Sequence, residues 1–264
     1  MGAPKAGLEW HGSTLLARTV GILNRGADGP VVVVRAPGQP LPSLPASVEV
    51  VDDPSEGHGP LQGIAVGLAA VAPATAAFVC ATDLPFLHPV FVRVVLAALT
   101  GDVEIVLPHV HGYRQPLAAA YATVLAPRAA QLVEEGVASP KLLLDRSRTL
   151  VLDDAALLAD PALLAADPGL RSVVNLNDRS MYEQARGEPA PEVEVQRFGA
   201  LASRGAPGAV TVRAATVGAA AAAVGLTLDR HVLAAVNGDA TGRDPGTPLV
   251  QGDVVALLSA DAGG

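Results

Sequence analysis

The sequence predicts an α/β fold with a mostly parallel sheet over residues 1–187, followed by a smaller second domain. In the first part, short apolar runs alternate with helix-compatible segments, a pattern typical of a sheet with helices on both faces. A polar, proline-bearing segment at residues 188–192 then separates this part from the rest of the chain. In the part that follows, apolar and polar residues alternate as in half-buried strands. The predicted domains are therefore 1–187 and 193–264, with 188–192 as a linker.

Composition excludes several classes of protein. The chain has 264 residues, half of them hydrophobic, and a net charge of −8 without any basic cluster. No nucleic-acid partner is predicted, because binding the phosphate backbone of a nucleic acid needs grouped Lys and Arg side chains. The single cysteine, Cys80, excludes a disulfide framework. The sequence shows no signal peptide and no uninterrupted apolar run long enough to span a membrane. It therefore predicts a cytoplasmic location and no membrane partner.

The first predicted elements are a helix capped by Ser13 or Thr14 and two short apolar strands, 31–34 and 48–51. Asp53 follows the second strand. A glycine-rich stretch, residues 57–68, then leads into a helix. Such glycines either let the backbone approach an anionic ligand at the helix N-terminus or only form a tight loop.

Asp83 stands at the end of the next strand, the apolar run 78–81, and precedes Leu84-Pro85. Because Pro85 cannot continue a central strand, Asp83 is predicted at the carboxyl end of the strand, where open α/β sheets bind ligands. A lone acid there either holds a divalent cation against the phosphates of a nucleotide or caps a loop.

The rest of the first domain is predicted to alternate in the same way. The predicted helices are 89–99, 127–135, 140–145 and 155–158, and the predicted strands are 104–107, 118–121 and 171–176. Asn175 and Asn177 alternate at the end of the last strand and either bond a ligand or turn the chain. His109 and His111 also alternate, but without a third ligand a solvent-facing loop is favoured over a metal site.

The second domain is predicted to contain two strands, a helix capped by Thr216 and two further strands. This order in a short domain predicts a ubiquitin-like β-grasp fold. The chain ends in Gly263-Gly264. The pair is either a frayed end or a tail without side chains that can thread a narrow channel and present its carboxylate for activation.

Five groups of motifs in the first domain carry a resemblance to a known family. They are Met1-Gly2-Ala3-Pro4-Lys5 with Gly12-Ser13-Thr14-Leu15-Leu16, Gly59-Pro60-Leu61-Gln62-Gly63-Ile64, Asp83-Leu84-Pro85, Gln115-Pro116-Leu117 and Asn175-Leu176-Asn177. Their order and spacing resemble the molybdenum cofactor guanylyltransferases, which implies a Rossmann-like, three-layer α/β/α nucleotidyltransferase domain. By that resemblance Lys5 and Asp83 are catalytic and bind the nucleotide, and Asp83 holds Mg²⁺. Asp53 would contact the nucleotide, and Asn175 and Asn177 would lie on the pterin side.

The chain departs from that family at its start. The first strand and glycine-rich loop of the family should precede Met1, so the expectation is that translation starts upstream and that this domain is incomplete. The loop helps the family to tell guanine from cytosine. A cytidylyltransferase of the same pathway and a sugar-phosphate nucleotidyltransferase therefore stay open as alternatives.

The second domain resembles the small, sulfur-carrying subunit of molybdopterin synthase. The matching motifs are Arg197-Phe198-Gly199-Ala200-Leu201, Val236-Asn237-Gly238, Gly252-Asp253-Val254-Val255 and Gly263-Gly264. By that resemblance Gly264 is adenylated and converted to a thiocarboxylate. An activating enzyme and the large subunit of the synthase would be its partners. The sulfur carrier of the thiamine pathway is similar and stays open.

Together the resemblances imply an enzyme that transfers GMP from GTP to Mo-molybdopterin, with a fused sulfur carrier. Positioning and charge neutralisation by Mg²⁺ and Lys5 would drive the chemistry. An alternative of another class is a non-catalytic sulfur carrier on a degenerate nucleotidyltransferase scaffold.

Overall fold

The computed structural model describes residues 5–54, 57, 59–203 and 208–260. The predicted thiocarboxylate site, Gly264, lies outside the described residues. The described α-helices are α1 Leu15–Gly26, α2 Gly59–Ala70, α3 Pro89–Ala97, α4 Ala126–Glu134, α5 Lys141–Asp145, α6 Asp154–Leu158, α7 Pro161–Ala166, α8 Arg179–Arg186 and α9 Val217–Ala223. The described strands are β1 Glu9–Trp10, β2 Ser13–Thr14, β3 Val32–Arg35, β4 Glu49–Asp52, β5 Ala76–Cys80, β6 Ile105–Val110, β7 Tyr113–Arg114, β8 Ala118–Ala122, β9 Thr149–Asp153, β10 Glu192–Phe198, β11 Val210–Arg213, β12 Val232–Val236, β13 Asp239–Gly242 and β14 Val254–Ser259.

The chain divides into two compact units. One consists of Met1–Gly21 together with Leu176–Gly264, and the other is Ile22–Asn175. The domain boundaries predicted from the sequence, 1–187 and 193–264, stay a prediction.

The main sheet of the unit Ile22–Asn175 has the strand order β5-β8-β6-β7, with β9 on the other side of β6. Strand β8 is antiparallel to both β5 and β6, whereas β9 is parallel to β6. The prediction of a mostly parallel sheet therefore holds only in part: β5, β6 and β9 run in the same direction, but β8 lies between β5 and β6 in the opposite direction, so most neighbouring pairs in this sheet are antiparallel. The reason is the connection from β6 to β8, which turns at His111-Gly112 and is too short for the crossover that parallel neighbours need.

Helices cover both faces of this sheet, so the α/β fold is confirmed. On one face, Ile105 and Leu107 of β6 and Tyr121 of β8 are buried against α2, α4 and α5. On the other face, Phe78 of β5 meets Phe91 of α3 edge to face, with 6.3 Å between the ring centroids. Alternate residues of each strand thus enter opposite layers of the core.

The prediction of a strand at residues 171–176 is wrong. Residues Arg171–Val173 form a 3-10 helix, and residues 174–177 are irregular. Leu170 has a φ of 46°, and the carboxylate of Asp167 accepts hydrogen bonds from the backbone N–H groups of Arg171 and Ser172 at 2.7 and 2.8 Å. These bonds turn the chain, and β9, which the sequence reading missed, takes the edge position beside β6 instead.

The second sheet belongs to the unit that contains Leu176–Gly264, and its order is β11-β10-β14-β12-β13. The last strand, β14, lies in the middle, parallel to β10 and antiparallel to β12. Helix α9 buries Val217 and Ala220 against Val195 and Leu257 of the sheet. Thr216 caps this helix, as predicted, by accepting a hydrogen bond from the N–H of Ala219.

A buried carboxylate joins two turns of this sheet and yields a prediction for stability. Asp253 is 2% exposed, and its two oxygens accept from Asn237 Nδ2 and Val250 N, each at 2.8 Å. Asp253→Ala leaves both donors without this acceptor, so we expect a loss of about 2–4 kcal/mol in the free energy of unfolding. Urea unfolding measures this loss, and the exposed Asp239→Ala in the same sheet is the control. Equal stabilities of the two variants would contradict the assignment.

Among the described helices, none combines the length and the apolar composition that crossing a lipid bilayer requires.

Candidate functional site

Asp83 lies three residues beyond the last residue of β5, at the carboxyl end of that strand. Its side chain is half-buried, whereas the following Leu84 and Pro85 are buried. Leu87 N donates to Leu84 O at 3.1 Å, which closes a turn directly after the acid. The sequence therefore places Asp83 where the structure has it, and its role as a metal ligand stays a prediction.

Cys80, the last residue of β5, shares this environment. Burial raises the pKa of the Cys80 thiol to about 12, and the negative charge of Asp83 contributes to the same rise. A raised thiol pKa means that the neutral form dominates at physiological pH. This agrees with the interpretation of Cys80 as an inert thiol, although the residue is half-buried by accessible surface and does not belong to the fully buried core.

We expect Cys80 in the folded protein to resist alkylation. At pH 8 its thiolate population should be lower than that of an ordinary cysteine by about a hundredfold or more. Mass spectrometry after treatment with iodoacetamide tests this, and the same treatment in concentrated urea is the control. Equal labelling rates in the two conditions would contradict the burial of the thiol.

Asp53 follows β4, and its side chain is tied to helix α2. Gln62 is 5% exposed, and its Nε2 donates to Asp53 Oδ1 at 2.5 Å. The backbone N–H of Asp53 donates to Arg35 O at 2.7 Å, so β3 also holds it. The carboxylate is half-buried and is positioned by two neighbouring elements. The role of Asp53 in contacting the nucleotide stays a prediction.

Gly59 begins α2, and the structure gives a packing reason for it. Its φ is 71°, and a side-chain carbon at this position would lie 2.7 Å from Ala138 O. The same carbonyl accepts a hydrogen bond from Leu61 N at 3.1 Å. Of the two interpretations of this glycine, the contact supports the tight loop.

Lys5 lies in the other unit, where it begins a 3-10 helix, Lys5–Gly7. Its Nζ donates to Leu176 O at 3.0 Å, and Leu176 itself is 2% exposed. Leu176 stands in the chain between Asn175, which is half-buried, and Asn177, which is exposed. The ammonium group is therefore held beside the backbone of the Asn-Leu-Asn motif.

A MobA-like NTP transferase model matches residues 1–151 of the chain, which is more than half of its length. The chain belongs to the MobA-like NTP transferase family. Among curated relatives, a probable molybdenum cofactor guanylyltransferase of Mycobacterium avium is 40% identical over 166 residues, 60% of this chain and 82% of that protein. The protein of the same name in Mycobacterium tuberculosis H37Rv is 43% identical over 155 residues, 57% of this chain and 75% of that protein.

Solved structures of this family and of related nucleotidyltransferases share the fold. Molybdopterin-guanine dinucleotide biosynthesis protein A from Archaeoglobus fulgidus has a TM-score of 0.52 and 21% identity, and the match covers 70% of this chain and 90% of that one. The 2-C-methyl-D-erythritol 4-phosphate cytidylyltransferase from Thermus thermophilus has a TM-score of 0.51 and 18% identity, over 70% and 93% of the chains. These structures show the α/β fold, and the family model together with the curated relatives shows that the protein is a nucleotidyltransferase.

The predicted metal site is not a cluster of protein ligands in the described part of the chain. Among the residues that the structure describes, no group of three or more His, Cys, Asp or Glu side chains could hold a metal ion. His109 lies in β6 and His111 in the following turn, where its Nε2 is 3.2 Å from Gly169 O. The loop interpretation therefore fits the exposed His111, whereas His109 belongs to a strand and is half-buried.

The sequence reading missed the residues that hold the turn after Asp83. The guanidinium carbon of Arg171 lies 3.8 Å from the centroid of the Phe86 ring, and Ser172 Oγ accepts from His88 N at 3.1 Å. The available signal was the Asp167-Pro168-Gly169 sequence, which is typical of a turn. The apolar residues that follow this turn sequence have the composition of a strand and therefore mask the signal.

Proposed function

We propose that the protein transfers GMP from GTP to the phosphate of molybdenum-bound molybdopterin and releases pyrophosphate. The observation that carries this proposal is the 40–43% identity to proteins named probable molybdenum cofactor guanylyltransferase, over 75–82% of their length. Asp53 and Asp83 lie within the segment that matches the family model, and each follows the carboxyl end of a strand.

The chemistry requires an in-line displacement at the α-phosphorus of GTP. An oxygen of the pterin phosphate forms the new bond, and the bond from the α-phosphorus to the β-phosphate oxygen breaks, so that pyrophosphate leaves. Positioning and charge neutralisation drive such reactions, and no covalent nucleophile of the protein is needed. In this proposal the ammonium of Lys5 binds the nucleotide phosphates, Asp53 orients the nucleotide, and Asn175 and Asn177 bind on the pterin side.

The residues at Asp83 fit Mg²⁺ bound together with a nucleotide. Mg²⁺ prefers oxygen ligands and is held by one or two carboxylates plus substrate phosphates rather than by a cage of protein ligands. The carboxylate of Asp83, half-buried just beyond the end of β5, would supply one such ligand, and the phosphates of GTP would supply others. The bound cation would provide positive charge to the reacting phosphate.

Calorimetry with GTP and with CTP, each in the presence of Mg²⁺, tests the choice of nucleotide. We expect GTP to bind more tightly than CTP, and GMP to be transferred when Mo-molybdopterin is added. A preference for CTP would make the protein a cytidylyltransferase. Transfer only to sugar phosphates would indicate a sugar-phosphate nucleotidyltransferase, and binding of neither nucleotide would favour the degenerate scaffold.

We also propose that residues 193–264 form a β-grasp sulfur carrier. Supporting this, β10 and β11 form an antiparallel hairpin, α9 follows, and the last strand β14 lies beside β10 in parallel. A final strand at the centre of the sheet leads the chain directly into its C-terminal segment. The proposed partners are an activating enzyme and the large subunit of molybdopterin synthase, or the corresponding partners of the thiamine pathway.

The terminal carboxylate of Gly264 should become a thiocarboxylate. Incubation with an activating enzyme, ATP and a sulfur donor is expected to raise the mass of the intact protein by one sulfur-for-oxygen exchange. Deleting Gly263 and Gly264 should abolish the gain, and GTP affinity of the deletion variant is the control for intact folding. If intact protein never gains this mass with either cognate activating enzyme, the carrier proposal is wrong.

A further inference from the structure

The turn that replaces the predicted strand 171–176 is built around a buried carboxylate. Asp167 is 7% exposed, and it accepts three hydrogen bonds, from Arg171 N, Ser172 N and Ser172 Oγ, at 2.7, 2.8 and 2.6 Å. A buried charge is costly unless such donors surround it. The three bonds therefore fix both the backbone and the hydroxyl orientation of Ser172.

The fixed hydroxyl of Ser172 contacts the loop that follows Asp83, which consists of residues 84–88. Ser172 is fully buried, and because its proton is donated to Asp167, its oxygen is free to accept from His88 N at 3.1 Å. His88 in turn caps α3, since its Nδ1 accepts from Val90 N at 3.1 Å. One end of the loop is thus tied through Ser172 to Asp167.

The same turn contacts the loop at a second point. The guanidinium carbon of Arg171 lies 3.8 Å from the centroid of the Phe86 ring, which is a cation–π contact. Between Asp83 and Phe86, Leu84 is 2% exposed and anchors the loop in the core. Asp83 therefore lies between β5 on one side and a loop held at Phe86 and His88 on the other.

We propose that Arg171 and Ser172, with Asp167 behind them, are positioning residues that hold the Asp83 carboxylate for the divalent cation–nucleotide complex. This inference rests on the proposed function of Asp83. The turn continues within two residues of Ser172 into Val174 and then Asn175, so it also sets the start of the segment proposed to meet the acceptor. Groups that orient a metal ligand from outside the coordination shell control metal affinity without touching the metal.

The test is the affinity of the full-length protein for Mn²⁺ in the presence of GTP, followed by the electron paramagnetic resonance signal of free Mn²⁺. Ser172→Ala removes the acceptor of His88 N, and we expect it to weaken Mn²⁺ binding about tenfold or more. The rate of transfer at saturating Mn²⁺ should recover most of the wild-type value. The matched control is Ser147→Ala, which removes a bond from Ser147 Oγ to Leu143 O of 2.7 Å in the same unit.

A merely structural role predicts a different result, in which both serine variants lower the melting temperature and neither changes Mn²⁺ affinity. That result overturns the inference. If Ser172→Ala does not fold, Phe86→Leu removes the ring under Arg171 while keeping an apolar side chain, and it should weaken Mn²⁺ binding severalfold. Unchanged Mn²⁺ affinity in Phe86→Leu would then overturn the inference.

The outcome for the proposed function is separate. Mn²⁺ binding that depends on GTP and weakens in Ser172→Ala, without transfer to any acceptor, supports the positioning role and contradicts the proposed function. Transfer by the wild-type protein together with equal Mn²⁺ affinities in Ser172→Ala and Ser147→Ala supports the function and overturns the positioning role. A wild-type protein that binds no Mn²⁺ with GTP overturns both.

Discussion

Asp83→Asn is expected to slow nucleotidyl transfer about a hundredfold or more, which corresponds to about 2.7 kcal/mol of lost transition-state stabilisation. The amide has nearly the shape of the carboxylate but lacks its charge, so it is a poor ligand for a hard divalent cation. Because Asp83 is only half-buried, the melting temperature should change little. Steady-state transfer rates at several Mg²⁺ concentrations measure the effect.

The control for this prediction is Asp28→Asn, which removes one negative charge from an exposed position in the same unit. It separates the loss of a ligand from a change of net charge. Turnover of Asp83→Asn at the wild-type rate would falsify the metal-binding role of Asp83. A rate that falls equally in both variants would assign the effect to overall charge.

The segment around Asp83 shows what the sequence can predict. The apolar run before it has the length of a buried strand, and Pro85 stops that strand, so both the strand and the position of the acid follow from local properties. The structure has β5 at Ala76–Cys80 and Asp83 just beyond it. Thr14, which caps α1 by accepting from Ala17 N at 3.2 Å, is a second feature that local sequence predicts.

Pairing between distant strands is less predictable. The insertion of β8 between β5 and β6 depends on which edge the chain joins after the turn at His111-Gly112. Helices on both faces are compatible with a parallel or a mixed sheet, so the helix–strand alternation does not reveal the antiparallel strand. The turn residues His111-Gly112 are a local signal for a hairpin. Which strands then become neighbours in the sheet depends on tertiary pairing.

The prediction of a strand at residues 171–176 is wrong for a different reason. Its apolar residues have the composition of a strand, and the interaction that overrides this preference comes from Asp167, outside the segment. Side-chain bonds to the backbone compete with secondary structure in this way. The positioning role proposed for Ser172 could not be inferred from sequence, because its partner His88 is 84 residues away.

Lys5→Met is the second change with a large expected effect, about a hundredfold in transfer rate together with weaker GTP binding. Methionine has a similar length and no charge, so the variant removes the ammonium group that is proposed to neutralise the phosphates. Loss of the bond from Lys5 Nζ to Leu176 O should cost only about 1 kcal/mol of stability. Transfer kinetics and GTP calorimetry, with thermal unfolding alongside, measure the three quantities.

The chain supplies its own control for this prediction, since its sequence contains two lysines, Lys5 and Lys141. Lys141 is exposed at the start of α5, so Lys141→Met removes the same charge and should leave transfer and GTP affinity unchanged. Lys5→Arg keeps the charge but changes its geometry and should recover part of the rate. If Lys5→Met is as active as Lys141→Met, the ammonium of Lys5 serves only to hold the Leu176 carbonyl. Phosphate charge must then be neutralised by other groups.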